Sequence, residues 1–172
     1  MRLRPYIHSK DYDYIHKWIN DERMHALWCA NLIPYPMTEE KLQGVLQKDA
    51  ADQGGCAYVA TADDGALLGF FVLSVNVISN SGFLKFIIIN NEFRGKGYGA
   101  QMIKLIQKYA FEITGVSTLQ LNVFDVNTGA KKCYARNGFV EESFTENAFT
   151  FHDESWGRSH LVASNVNGGC LE

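Results

Sequence analysis

Phe86-Ile87-Ile88-Ile89-Asn90-Asn91-Glu92-Phe93-Arg94-Gly95-Lys96-Gly97-Tyr98-Gly99-Ala100 is the stretch on which the fold turns. It opens on the apolar end of a strand, passes through a polar lead-in at 90–94, and closes on three glycines in five residues. From about Gly97 to Thr114, Ile103, Ile106, Ala110 and Ile113 recur at helical spacing, with Gln101, Lys104, Lys108 and Glu112 opposite, which predicts a helix with one buried side. Glycines at the head of a helix let the backbone close around an anion with several amides pointing inward, and the positive helix end adds to the attraction. A plain glycine-rich strand–helix turn carries the same glycines, so the turn alone says only that an anion fits there.

Two other phosphate motifs compete for this turn. A Walker A loop needs Gly-Lys-Ser/Thr, and here Lys96 is followed by Gly97. Gly95-x-Gly97-x-x-Ala100 matches the loose dinucleotide pattern, which makes a nicotinamide-binding oxidoreductase an alternative. That reading ranks lower, because the polar stretch separates strand from glycines and no acidic residue follows about 20 positions on at a strand end.

Working outward, Phe83 to Ile89 is apolar on both faces apart from Lys85, the pattern of a strand central in its sheet. Upstream, Cys56 to Ala62 and Ala66 to Val75 flank Asp63-Asp64-Gly65 and read as a hairpin. Before them come a short strand at Met1 to Tyr6, helical segments at Asp11 to Asn20 and Glu22 to Trp28, and an apolar loop carrying Pro34 and Pro36. Thr38 is a good N-cap for a peripheral helix through about Gln53. Downstream, Thr118 to Phe124 is a strand, Asn127 to Asn137 a short helix closed by Gly138, and Phe144 to Ala163 a terminal hairpin turning near Asp153-Glu154. The fold class is therefore α/β in the mixed α+β sense, a mixed sheet covered by helices.

The length of 172 residues suits one domain, placed at 1–164, with 165–172 expected to be a polar, flexible tail. A formal net charge of -3 and the lack of a basic tract argue against nucleic acid as a partner. The start of the chain has no apolar signal core, and no run reaches the roughly 20 residues that span a bilayer, so no membrane partner and a cytoplasmic location are expected. The four cysteines, Cys29, Cys56, Cys133 and Cys170, form no CxxC or CxxH pair, and no metal is expected.

Taken together, the residues resemble the GNAT acetyltransferase superfamily. Its signature Gln/Arg-x-x-Gly-x-Gly/Ala is met by Arg94, Gly97 and Gly99, and Asn127-x-x-Ala130-x-x-x-Tyr134-x-x-x-Gly138-Phe139 is similar to its second cofactor segment. Trp18, the Pro34/Pro36 loop and the terminal hairpin resemble more loosely the ribosomal-protein-alanine (Rim-type) branch. The resemblance implies a GNAT fold whose central mixed sheet of six to seven strands is split between the strands at 83–89 and 118–124. It implies acetyl-CoA as co-substrate, with backbone amides of Arg94, Gly95, Lys96, Gly97, Gly99 and Ala100 holding the pyrophosphate. Backbone groups of Ile87, Ile88 and Ile89 would pair with the pantetheine arm, Asn127 would touch its end or hold a water, and Tyr134 would stand near the sulfur. Lys131 or Lys132 would be within reach of a phosphate. The implied acceptor is a small-molecule or peptide amine, and the implied assembly a monomer or homodimer. A non-catalytic acyl-CoA-binding module is the other alternative.

Acetyl transfer by direct attack needs a neutral amine, a polarised thioester and a proton for the departing thiolate. A Tyr hydroxyl stays protonated at pH 7 and can donate to that thiolate, which makes Tyr134 the candidate catalytic residue. No carboxylate lies on Phe83 to Ile89, where many family members carry a base. Neutralising a lysine-like amine at pH 7 costs about 4.6 kcal/mol against about 1 for a peptide α-amine, so a water-relayed base suits an amine already partly neutral. Asp125 is expected to cap the Asn127 helix, and Trp28, Tyr35 and the prolines to wall the acceptor cleft.

Overall fold

The computed structural model describes residues 1–165. The expected tail therefore lies, apart from Asn165, outside the described residues. A seven-stranded mixed sheet organises the chain in the order β1-β2-β3-β4-β5-β7-β6. The strands are β1 (Arg2–Pro5), β2 (Cys56–Thr61), β3 (Leu67–Asn76), β4 (Ser81–Ile89), β5 (Thr118–Phe124), β6 (Val140–Phe151) and β7 (Glu154–Ser164). β4, apolar on both faces, takes the middle position its composition predicts. Helices α1 (His8–Lys17), α2 (Glu22–Cys29) and α3 (Glu39–Gln53) cover one face, over a core of Ile15, Trp18, Trp28, Leu42, Phe70 and Phe86. Helices α4 (Tyr98–Lys108) and α5 (Thr128–Arg136) cover the other, over Leu84, Met102, Ile103, Ile106, Leu119 and Leu121. This is the mixed α/β arrangement that the resemblance implies.

Local chemistry sets the helix ends as the sequence suggests at two places. Thr38 caps α3 by accepting from Lys41 N at 3.3 Å, and only Leu42 of that helix is buried. Gly138, at φ +81, closes the turn after α5. Three readings are corrected. Ile113 is 72% exposed, because Tyr109–Thr114 widens into a π-turn beyond α4 and its side chain rotates off the core stripe. Met102, fully buried, takes a core place that a reading based on branched residues passed over. β6 also begins at Val140 rather than Phe144, and its first residues are nearly all exposed because it is the sheet's edge strand, with no apolar alternation to announce it.

The central event is a bulge. β3 pairs with β4 antiparallel at Val72↔Lys85 and again at Phe70↔Ile88, so two β4 residues, Phe86 and Ile87, oppose Phe71 alone. Phe86 sits at φ +51, a left-handed conformation that costs a non-glycine residue about 1–2 kcal/mol. Trp28 Nε1 donates to the Phe86 carbonyl at 2.8 Å, and the Phe86 ring is buried against Trp28 with centroids 5.8 Å apart. Those contacts hold the bulge. The parallel pairing of β4 with β5 covers only Ser81↔Thr118 to Leu84↔Leu121 and stops where the bulge begins. Beyond it the strands part, and Ile87–Ile89 keeps β3 on one edge with no strand partner on the other among the described residues.

Candidate active site

The gap between β4 and β5 opens two cavities that meet. The first, of about 550 Å³, runs from Ile87, Ile88 and Ile89 past Arg94, Gly95, Gly97, Gly99 and Ala100 to Asn127, Lys132, Cys133 and Arg136. The second, of about 410 Å³, lies on the α2 side between Phe83, Phe86, Asn122, Phe124, Phe149 and Arg158. Leu27, Trp28, Ile87, Asn127, Ala130 and Tyr134 line both, so the two form one cleft through the sheet with Tyr134 at the junction.

The turn that feeds the first cavity is built locally. Asn90 N donates to Leu68 O and its amide Nδ2 to Leu67 O, which ends β4; its Oδ1 accepts from Glu92 N, which bends the chain away. This is the work of the polar lead-in. Phe93 packs edge-to-face on Tyr98, centroids 5.3 Å apart, and pins the turn to the helix. Gly95 (φ +74) and Gly97 (φ +85) adopt backbone that L side chains rarely take, with Gly97 as the α4 N-cap. Among the described residues no Asp or Glu lines this cavity, whereas Arg94, Lys132 and Arg136 do. Arg94 donates through Nε to Ile89 O at 3.0 Å, and burial holds its guanidinium pKa below the usual arginine value. The donor set suits a multiply charged anion attached to an extended chain: amides and cations at one end, an unpaired strand edge along the middle.

Tyr134, only 7% exposed, packs on Phe139 with centroids 5.8 Å apart. Its hydroxyl makes no hydrogen bond among the described residues, and burial pushes its pKa up, so it stays protonated. A proton donor thus stands at the junction. Asn127 caps α5, its Oδ1 accepting from Ala130 N at 3.3 Å. Asp125 does not cap that helix as expected; its Oδ1 accepts from Val126 N at 2.8 Å and Gly157 N at 3.0 Å, and so fixes the end of β5 against β7.

The remaining candidates separate. Lys96 does not line the cavity, and its ammonium lies 5.8 Å over the Phe93 ring. Lys131 is turned away to Glu141 (3.1 Å) and Ser159 (2.9 Å), which leaves Lys132 as the cavity lysine of the two. Trp28 walls the cleft as expected, whereas Tyr35 packs edge-on against buried His25, centroids 5.2 Å apart. Phe83, Phe86, Phe124, Phe149 and Arg158 were not singled out from sequence. Alternation along β5 and β7 could have placed Phe124 and Arg158 on one sheet face, but nothing in the sequence said which face faced a cleft. Among the described residues no group of three His, Cys, Asp or Glu is placed to hold a metal, and no helix is long and apolar enough to cross a membrane.

The model of the acetyltransferase (GNAT) family matches residues 12–139. A spermidine N(1)-acetyltransferase of Vibrio cholerae is 29% identical over 133 residues, covering 77% of this chain and 75% of its own. An uncharacterised N-acetyltransferase of Methanocaldococcus jannaschii is 30% identical over 84 residues, covering 49% and 52%. Among solved structures, spermidine N-acetyltransferase from Vibrio cholerae in complex with CoA and spermine superposes with TM-score 0.82 at 24% identity, covering 97% of this chain and 96% of that one.

Proposed function

The chain belongs to the acetyltransferase (GNAT) family, and on that premise we propose that it moves an acetyl group from acetyl-CoA to a primary amine by direct attack within the β4–β5 cleft. One observation carries the reading: the cation-rich cavity and the aromatic cavity share a junction, and the buried, protonated Tyr134 stands in it. A donor that is long and anionic at one end and an acceptor amine can enter from opposite sides and meet there. The Vibrio cholerae relative is named for spermidine, which supports a small-molecule amine; a peptide amino terminus is the other acceptor class proposed.

When bound, acetyl-CoA supplies an activated thioester carbonyl. The chain's own residues do the rest. Amides at Arg94 to Ala100 bind phosphate oxygens at the positive end of α4, and Lys132 and Arg136 neutralise further charge. The free edge of Ile87–Ile89 orients the linking arm as an added strand would be oriented. Asn127 caps α5 and thereby sets where Tyr134 stands; Tyr134 gives its hydroxyl proton to the departing sulfur and recovers one from solvent. Among the described residues no side chain lining either cavity is a carboxylate or a histidine, so the amine proton leaves through water.

The test is thiol release from acetyl-CoA across a panel of primary amines, alongside thermal shift with acetyl-CoA and with NAD(H). Release with at least one amine and stabilisation by acetyl-CoA are expected. Stabilisation without release from any amine would make the chain an acyl-CoA-binding module, and stabilisation by NAD(H) alone would return the nicotinamide reading.

A further inference from the structure

The acceptor half of the cleft holds a cation that nothing in the fold uses. Arg158 pairs in register with Phe124 of β5 and Thr145 of β6, while its neighbour Ser159 faces the opposite side and accepts from Lys131. Alternation therefore puts Arg158 on the acceptor face, the face on which His160 hydrogen-bonds Asn122 (3.1 Å) and stacks on Phe83. Arg158 is exposed and lines the cavity, yet it has no ion pair, hydrogen bond or ring contact among the described residues.

Other charged groups near it are engaged or lie outside the cavity lining. Lys85, the second cation of this cavity, is bound by Asp49 and by Gln53 at 3.0 Å. Glu154 is held by Arg23, and Glu22 faces His152 at 3.3 Å. Asp125 is occupied by two backbone amides. Glu142 and Glu146 are exposed on β6 and do not line the cavity. The acceptor cavity is thus an aromatic, partly polar space with a net positive charge and, among the described residues, no carboxylate in its lining. A polycation entering it would meet like charge with no counter-ion, whereas an anion would find an uncompensated guanidinium whose planar fork matches a carboxylate.

We propose that the acceptor is a primary amine carrying an anionic group, first of all a carboxylate, with the anion on Arg158 and the apolar body against the cavity's phenylalanines. This rests on the acetyl-transfer reading above and narrows it. The missing side-chain base adds a second condition: at pH 7 about one in seven peptide-like α-amines is already neutral, against about one in 2,500 alkylamines of lysine type. A short peptide with an apolar side chain and a free carboxylate meets both conditions. In the transfer its amine nitrogen forms the new bond to the acetyl carbon, the carbon–sulfur bond breaks, the amine proton leaves through water, and the thiolate takes the Tyr134 proton.

The experiment measures thiol release with alanyl-phenylalanine, alanyl-phenylalaninamide, the phosphonate analogue of the dipeptide and spermidine, on wild type, Arg158→Gln and Arg158→Glu. Wild type should prefer the free carboxylate over the amide by about 10- to 100-fold in kcat/KM, the range of a charge-assisted hydrogen bond. Arg158→Gln should erase that preference by lowering kcat/KM for the dipeptide about 10- to 100-fold more than for the amide, with the KM for acetyl-CoA unchanged, and Arg158→Glu should move the preference towards spermidine. Dipeptide over phosphonate supports a carboxylate as the anion; the reverse order replaces it with a phosphoryl group and overturns that choice. Since Arg158 is exposed and unpaired, the variants should melt with wild type. Spermidine turned over as well as the dipeptide by wild type, or equal loss on dipeptide and amide in Arg158→Gln, overturns the inference and leaves acetyl transfer standing. Stabilisation by acetyl-CoA with no release from any amine overturns acetyl transfer itself, and the inference with it.

Discussion

The two halves of the cleft are built by different rules. The cofactor half is dictated by backbone: two glycines at positive φ, a helix end, a strand edge freed by a bulge, and three cations spaced along Arg94 to Arg136. The acceptor half is dictated by side chains drawn from α2, β4, β5, β6 and β7, which strand alternation, the β4 bulge and the packing of α2 bring together. A half made of backbone geometry tolerates change in most side chains but not in the few residues that permit the geometry. A half made of side chains can be re-specified by single substitutions without disturbing the other. The residues shared by the two cavities, Tyr134 and Trp28 among them, are where a substitution should strike both.

The largest effect is therefore expected at Tyr134→Phe, which keeps the ring on Phe139 and removes only the proton donor. Loss of a positioned general acid should lower kcat by about 10²- to 10³-fold, with both KM values close to wild type and an unchanged melting temperature. A fall in affinity instead of rate would mean that Tyr134 only shapes the wall. Next comes Gly97→Val, aimed at the cofactor half alone. Its Cβ would meet nothing within 4 Å, so any effect comes from φ +85 and not from a clash. Forcing that backbone costs about 1–3 kcal/mol, which should raise KM for acetyl-CoA about tenfold or more while the amine KM stays put. Gly99→Ala is the control: its Cβ would touch Ile89 and Cys133 at ordinary distances of 3.7 and 3.8 Å, and its effect should be small.

This division also explains what the sequence discloses. The cofactor half is legible because its parts are local: Asn90 to Ala100 is one turn, and Asn127, Tyr134 and Gly138 lie on or beside one helix. Their spacing is their geometry. The acceptor half is illegible for the converse reason. Leu27, Phe86, Phe124, Phe149 and Arg158 lie on five elements, and which face they share depends on a β4 bulge that apolar composition does not reveal. Phe86 reads as a routine strand residue in Phe83 to Ile89, although its φ of +51 is what divides the sheet. Most strands and helices are found to within a few residues because turn and cap residues mark their ends, whereas β6 loses its first residues for want of any apolar alternation.

Trp28→Phe tests whether the bulge links the two halves. The ring stays against Phe86, but the Phe86 carbonyl loses the indole N–H at 2.8 Å and is left buried without that donor. Such a loss costs about 1–3 kcal/mol, part of which the strand recovers by relaxing, so both KM values should rise together by about three- to tenfold. A rise confined to the amine would make Trp28 a wall of the acceptor half and not a support of the split.

The smallest effect lies behind the acceptor half, at His25. It is fully buried beneath Trp28 and Tyr35 and 3.5 Å from Cys29 Sγ, and burial lowers its pKa against the opposing pull of Asn31 and Glu22. The unfolded chain then binds a proton at a pH where the folded chain does not. Stability from His25 is accordingly complete above the unfolded value of about 6.5, declines as pH falls through the interval down to the depressed folded value, and is level below it. Melting temperature should therefore drop gently from pH 7 towards pH 5, and His25→Gln should remove that part of the slope. Because His25 lines neither cavity, acetyl-CoA should stabilise wild type and variant equally at each pH. A pH-dependent difference in that stabilisation would show that the two halves are coupled through α2, which carries both His25 and the shared wall of Leu27 and Trp28.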